Sequence, residues 1–392
     1  MATTIRLRLL LVAACAALIQ PVLAKNVDVN EDFGDKNVKQ PGTKGGKGRS
    51  AIQSALEQAA SVRVDHVVSV TAGNSHTLVA RQDGVTLAWG DNDAGQLGDG
   101  SRNPSDRPVM VVGGPYAQVA AGGSFSLGLK ADGTLWLWGQ MGAGSDGGKK
   151  PEARRLNIAG TAVAIAAGGQ HALAITSDGG LWGWGGNQFG QVGDGTTTFR
   201  PSPVQIGSNF VAIAAGGSHS LAVNRDGTLF AWGNNEFDQC AHDAMTPKEV
   251  ARGFVSAAAG RNHSLAIKRD GSLWAWGDNR NGQLGDGSTN RHSAPVQVGS
   301  DTGWTAVAAG NGHSLGLRQG GLYAWGGNDE GQLGLAGVAS AATPTKVNGD
   351  FIRIAAGAYH SAAVKTDGGL LIWGSSDRGQ AGRGSGPQPH PM

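Results

Sequence analysis

Cysteine is nearly missing from this chain: Cys15 and Cys240 are the only two in 392 residues. If Cys15 leaves with a leader peptide, no intramolecular disulfide can form, so packing alone must stabilise the fold. Charge of one sign is missing as well. The 32 basic residues, less Arg6 and Arg8 in the leader, leave 30 against 30 acidic residues. A neutral mature chain lacks the basic excess that phosphate neutralisation demands of a nucleic-acid binder. Long apolar runs are also lacking. The longest, Leu9 to Ile19, has eleven residues, too few for a helix crossing a hydrocarbon core of about 30 Å. It follows Arg6 and Arg8 and precedes Pro21 and Val22-Leu23-Ala24, the layout of a secretory leader cleaved after Ala24. Export to the periplasm or medium is therefore expected. In the alternative, Val12-Ala13-Ala14-Cys15 is a lipoprotein processing box with Cys15 lipidated; the apolar residues after Cys15 argue against it.

Glycine is abundant, at 66 residues, and it is positional. Trp-Gly pairs begin at Trp89, Trp138, Trp184, Trp232, Trp276, Trp325 and Trp373, at spacings of 49, 46, 48, 44, 49 and 48. An Ala-Gly step places its glycine at Gly73, Gly122, Gly168, Gly216, Gly260, Gly310 and Gly357. Two independent marks thus define the same seven copies of one repeat.

Within a copy such as Val211 to Gly233, apolar residues alternate with period two, which indicates strands. Asp-Gly between apolar runs signals a tight type I′ hairpin. It occurs at Asp83, Asp132, Asp178, Asp226, Asp270 and Asp367, with Gly320-Gly321 expected to serve in the sixth copy. In the third strand Leu229 and Ala231 face one way, Phe230 and Trp232 the other. A sheet apolar on both faces must be sandwiched, and radial stacking of small sheets does this. With Pro-Val strands such as Pro203 to Ile206 and Pro295 to Val298, each copy has four strands. The expected fold is all-β: a seven-bladed β-propeller of four-stranded antiparallel blades. The seventh copy lacks its Pro-Val strand, so residues near 62 to 66 are expected to pair with it, closing the ring by its N- and C-terminal strands. The expected organisation is a leader over 1–24, a flexible linker over 25–61 with a short helix at Ser50 to Ala60, the propeller over 62–386 and a tail over 387–392.

The Ala-Gly-x-x-His-Ser-Leu-Ala step, the Asp-Gly hairpin, the Leu-Trp-Ala-Trp-Gly strand and the Gly-Gln-Leu-Gly-Asp-Gly loop at Gly95 to Gly100 and Gly282 to Gly287 together resemble the regulator of chromosome condensation repeat over about 62–384. The resemblance implies the fold; function must come from a site. One branch of that family exchanges nucleotide on a small GTPase and docks on chromatin, which calls for a nuclear location, a basic tail and a long insertion that this sequence lacks. A secreted bacterial branch inhibits β-lactamase through aromatics on one face, just before the motif histidine and in the loop after Trp-Gly. It is similar to this chain in export, blade number and the Trp-Gly-Ser-Ser ending at Trp373 to Ser376. The positions before the histidine read Ser75, Ser124, Gln170, Ser218, Asn262, Gly312 and Tyr359, so Tyr359 alone is aromatic there.

Six histidines, His76, His171, His219, His263, His313 and His360, recur at one repeat position, with Phe125 in the second copy. A position that tolerates Phe is structural, and a backbone hydrogen bond to the turn after Ala-Gly is expected of it rather than a metal. His219, Ser220 and Asp226 form no hydrolase triad, because adjacent strand residues point to opposite faces and Asp226 belongs to a hairpin. Asp91-Asn92-Asp93 fails as a calcium loop, having Gln96 and Arg102 where Gly and Glu are needed. Gly42 to Gly48 fails as a phosphate loop, since Gly48 follows Lys47 where Ser or Thr belongs. The tryptophans are core. Departures from the repeat, Phe189, Phe237, Tyr359 and Arg261, with the altered loop Asp238 to His242, are the candidate binding residues. The expectation is a monomeric, non-enzymatic exported scaffold, without cofactor or metal, binding a protein or cell-envelope partner through loops at one end. Nucleotide exchange and a polysaccharide hydrolase or lyase, the latter needing acids converging on a channel mouth, are the alternatives.

Overall fold

The computed structural model describes residues 66–142 and 152–382. The leader, the linker and its helix, and the tail at 387–392 lie outside the described residues. Every regular element is a strand, 26 among the described residues. The fourth copy shows the unit: Phe210–Ala215, His219–Asn224, Thr228–Gly233 and Ala244–Arg252 pair antiparallel in chain order. The first five copies each form such a four-stranded sheet. The sixth and seventh share one of six strands, because the 17-residue strand Ser340–Ala356 pairs with Gly321–Gly327 through its first part and with His360–Lys365 through its last.

Apolar residues line both faces of each sheet, as the sequence demands, and the cores sit in the seams between successive sheets. Between the third and fourth copies Leu173, Ile175 and Leu181 pack against Phe210, Ile213, Ala222 and Trp232. A seam of the same kind joins the seventh copy to the first, where Ala355, Ala362, Val364 and Ile372 meet Val67, Val79 and Trp89. Six of the seven Trp-Gly tryptophans are fully buried, each hiding about 150–250 Å².

The motif glycine answers to proximity. A Cβ on Gly216 would stand 2.5 Å from the Gly260 carbonyl of the next copy and collide with the His219 ring. That approach lets a backbone hydrogen bond span each seam: the residue after the motif glycine donates its N–H to the following copy, from Asn74 to Gly122 (3.2 Å), Gly217 to Gly260 (3.0 Å) and, last to first, Ala358 to Gly73 (3.2 Å).

Two turn expectations need correcting. In the Asp-Gly hairpins only the glycine has positive φ, as at Gly84 (85°), while Gly84 N donates to the Arg81 carbonyl and Arg81 N to that of Val85. This is a type I turn with a bulge at the glycine, and the Asp83 carboxylate caps it by accepting from Val85 N. The type I′ turn occurs in the sixth copy alone, and at Gln319-Gly320, with φ of 50° and 77°, instead of Gly320-Gly321. There the hairpin is one residue shorter, with His313 and Trp325 12 positions apart where His219 and Trp232 are 13, and that leaves a two-residue loop. The closing strand expected near 62–66 lies outside the described residues except for His66, whose carbonyl accepts from Gln82 N of the first copy. Val67 and Val68 belong to the first strand of that same copy, Val67–Ala72, so they do not complete the seventh. Among the described residues no helix is long and apolar enough to cross a membrane.

Gly216→Ala should cost about 2–3 kcal/mol through overpacking, read as a lowered urea midpoint, because backbone on the facing sheet cannot yield to the added methyl.

Candidate functional site

The six histidines are spent on the seams. Each is fully buried, and each Nε2 meets a hydroxyl of the next copy: His76 with Ser126 (2.9 Å), His171 with Ser220 (2.8 Å), His219 with Ser264 (3.0 Å), His263 with Ser314 (2.9 Å), His313 with Ser361 (3.0 Å) and His360 with Thr77 (2.9 Å). The partner is a side chain across the seam, which corrects the expected backbone bond at the turn. The hydroxyl in turn donates to a glutamine carbonyl in the loop after Trp-Gly, as Ser220 does to Gln191 (2.8 Å) and Thr77 to Gln380 (2.9 Å). A hydroxyl has one proton to give. Since the carbonyl takes it, the hydroxyl oxygen accepts from Nε2–H, which assigns that tautomer and leaves Nδ1 as a bare lone pair. The absence of a hydrogen-bond partner for all six Nδ1 atoms agrees with this.

The same carbonyl takes a second donor, the Trp-Gly indole: Trp232 Nε1 to Gln191 (3.0 Å), Trp276 to Gln239 (2.8 Å), Trp89 to Gln380 (3.0 Å). The glutamine side chain braces its own loop, Gln191 Oε1 accepting from Phe189 N (2.9 Å) and Gln239 Oε1 from Phe237 N (2.8 Å). The glutamine and the serine were missed as seam residues, although both stand in the repeated motifs. The signal was their joint loss. Where Phe125 replaces histidine, Ala172 replaces the serine and Met141 packs in the same cluster with Trp184, whose Nε1 has no partner among the described residues.

This arrangement gives no nucleophile. The serine proton is committed to a carbonyl and the imidazole lone pair points away from the hydroxyl, so His219 does not act on Ser220. Burial holds the histidines neutral, His76, His219 and His313 near 3 and His171, His263 and His360 near 4. Asp91 and Asn92, once weighed as a calcium loop, hold the loop itself: Asp91 Oδ2 accepts from Gln96 Nε2 (2.9 Å) and Asn92 Oδ1 from Leu97 N (2.9 Å). Cys240 is a buried core residue of the altered fourth-copy loop, its thiol pKa pushed up by burial and then by Asp243. That loop carries Asp238 and Ala241 at φ of 64° and 62°, where the first copy has Gly95 and Gly98 at 81° and 68°.

All four candidate binding residues stand at one end of the sheets. There the residue after each Trp-Gly donates to the carbonyl before the motif position, as Asn234 N does to Ser218 and Ser375 N to Tyr359. Phe189 and Tyr359 are 47% and 46% exposed, and Arg261 is exposed with its N–H bound to Gly310. Phe237 is half-buried under the Arg280 guanidinium at 5.0 Å, itself held by Asp278. They sit on the third, seventh, fifth and fourth copies, and the structure does not bring them into one cluster. Phe189 borders a hollow of about 330 Å³, with Met245, Asn234, Asn235, Glu236 and Asp243. Among the described residues no three His, Cys, Asp or Glu side chains gather as a metal site.

Stacked four-stranded antiparallel sheets with tryptophan and histidine in their seams define a repeat protein with the propeller fold of the RCC1-like domain. The chain belongs to that family: the RCC1-like domain matches residues 116–392, and the regulator of chromosome condensation (RCC1) repeat matches 83–129 and 67–96. Similar solved structures include Prp20p from Saccharomyces cerevisiae, studied for its binding to Gsp1p and histones (23% identity, 80% of this chain and 84% of that one, TM-score 0.69). Another is human WBSCR16 (23%, 79% and 87%, 0.69). The yeast RCC1 (Prp20) complex with Kap60 aligns over 91% and 90% at 22% identity and a TM-score of 0.70. At such identity the likeness shows the fold. The E3 ubiquitin-protein ligase HERC2 of Homo sapiens is 44% identical over 45 residues, 12% of this chain, and the match spans only 1% of that protein's length.

Two outcomes test the seams. The folded histidines have depressed pKa values, so their contribution is complete above about pH 6.5 and is lost as pH falls towards 3–4. At pH 5 each costs about 2 kcal/mol, and six together rival the about 5–15 kcal/mol stability of a domain. Tryptophan fluorescence should therefore report cooperative unfolding between about pH 6 and 4. Separately, Ser220→Ala should cost about 1–3 kcal/mol by leaving the His171 N–H unpaired. Adding His171→Phe should recover part of that loss, measured by a double-mutant cycle in urea.

Proposed function

We propose that the chain is an exported, non-enzymatic scaffold: a closed seven-bladed propeller that binds a protein or cell-envelope partner through the loops at one end. The single observation that carries this reading is the contrast between the two kinds of residue at that end. The repeated polar groups are consumed in bracing seams and loops, while Phe189 and Tyr359, which the repeat does not require, are about half exposed. Exposed aromatics on a rigid frame are the usual anchors of protein interfaces. Closure is supported by the seventh-to-first seam, which repeats the hydrogen bonds of the others through His360, Gln380, Thr77 and Trp89. Export is supported by Arg6, Arg8, the apolar run and Ala24.

The test is capture from the source organism's envelope and culture fluid on immobilised mature protein. Phe189→Ser with Tyr359→Ser should weaken the captured interaction at least tenfold while leaving the thermal midpoint within about 2 °C, since both side chains are about half exposed and belong to none of the core clusters. Equal capture by the double variant, cleavage of an envelope glycan, or nucleotide release from a loaded small GTPase would each replace the reading. Scattering separately tests the closed ring.

A further inference from the structure

Four residues before the motif glycine, the first strands carry Ser69, Gln118, Ala164, Ala212, Ser256 and Ala306 in the first six copies. The seventh has Arg353, the one ionisable side chain among the segments that serve the seven copies as first strands, which in the seventh is the part of Ser340–Ala356 from Phe351 onward. This position faces the next copy: Ala164, Ala212 and Ala306 pack in the seams that follow their sheets, and Ser69 Oγ accepts from Val119 N. Arg353 thus emerges into the seam between the seventh copy and the first, whose buried lining is Val67, Val79, Ala355 and Val364.

The side chain is half-buried, its Nε is sealed from solvent without a partner, and among the described residues no carboxylate forms an ion pair with it. Burial alone acts on it, lowering the guanidinium's affinity for its proton. A desolvated charge without a counter-ion is costly, and a sheet position that accepts serine or alanine in other copies does not require one. Guanidinium presents a planar fork of donors that fits two oxygens of a carboxylate or phosphate at once. Beside it in the strand, Ile352 is 50% exposed, so the position is open to a ligand.

We propose that Arg353 forms an oxyanion-binding site at the seam between the seventh and first copies, taking a carboxylate or phosphate group. The seam exists in the described structure whatever the partner of the loop end, so this site stands or falls apart from the proposed function.

The experiment follows the thermal midpoint of the full mature protein at constant ionic strength against sodium phosphate, acetate, and a short peptide with a free or an amidated C-terminus. Wild type should rise by about 2–4 °C at ten times the Kd. Arg353→Ser should lose affinity at least tenfold, and Arg353→Lys should fall between the two, since lysine is a point charge. Without added anion, Arg353→Ser should melt no lower than wild type, because serine occupies this position in the first and fifth copies. A response to phosphate alone identifies a phosphate ligand; a response to acetate and the free-acid peptide, lost on amidation, identifies a carboxylate. Equal rises in wild type and Arg353→Ser, no rise in wild type at 50 mM, or an Arg353→Ser protein less stable in the absence of anion would overturn the proposal.

Discussion

One carbonyl oxygen in each of six seams organises this molecule. In the loop after Trp-Gly, the glutamine carbonyl receives an indole N–H and a hydroxyl from the following sheet, and the hydroxyl accepts from a histidine of the glutamine's own sheet. Two lone pairs are filled by two donors, and the hydroxyl's single proton sets the direction of the whole chain of bonds. The geometry therefore dictates the imidazole tautomer, its neutrality and its inability to act as a base towards serine. Buried polar groups are costly when half satisfied, so losing the histidine favours losing its hydroxyl partner as well.

The seam between the second and third copies shows the loss. Phe125, Ala172 and Met141 stand there together, and the cluster is apolar. The joint replacement of histidine and serine exchanges their hydrogen bond for packing and leaves the Trp184 indole N–H without a partner among the described residues. Both solutions depend on the motif glycine, whose missing side chain lets adjacent strands come near enough for a backbone bond across each seam. At the other end of the sheets cation and aromatic groups meet within single copies, Lys268 over Trp274 at 3.7 Å and Arg318 over Tyr323 at 4.5 Å.

A frame tied at every seam leaves few residues free for a partner, and this is why deviations from the repeat matter more than its conserved-looking histidines. Phe189 and Tyr359 are exposed additions to an end whose backbone is already bonded. Asp238 and Ala241 hold backbone angles that L-residues adopt at a cost, in the one loop that departs most from its sisters. Arg353 departs in a different place, inside a seam, where its charge has no partner among the described residues.

The all-β class, the repeat and its four-stranded antiparallel sheets were legible in the residues themselves. Period-two alternation, Trp-Gly and Asp-Gly are local signals, and a strand apolar on both sides admits few neighbours. The histidines could be recognised as structural because Phe125 takes one of their places. Their partners were not legible: His171 and Ser220 are 49 residues apart, and only packing of one sheet on the next decides that the ring meets a hydroxyl across the seam in preference to the nearby turn. Turn type was misread for a local reason: loop length selects it, and the Asp-Gly hairpins hold one residue more than the Gln319-Gly320 hairpin of the sixth copy. Sequence by itself determined which residues are apolar and where the chain can turn, because those are properties of single side chains and short spans. Tertiary structure alone decided which donors meet which acceptors, and which charge is left without one, because those depend on distances between residues that the chain order keeps far apart.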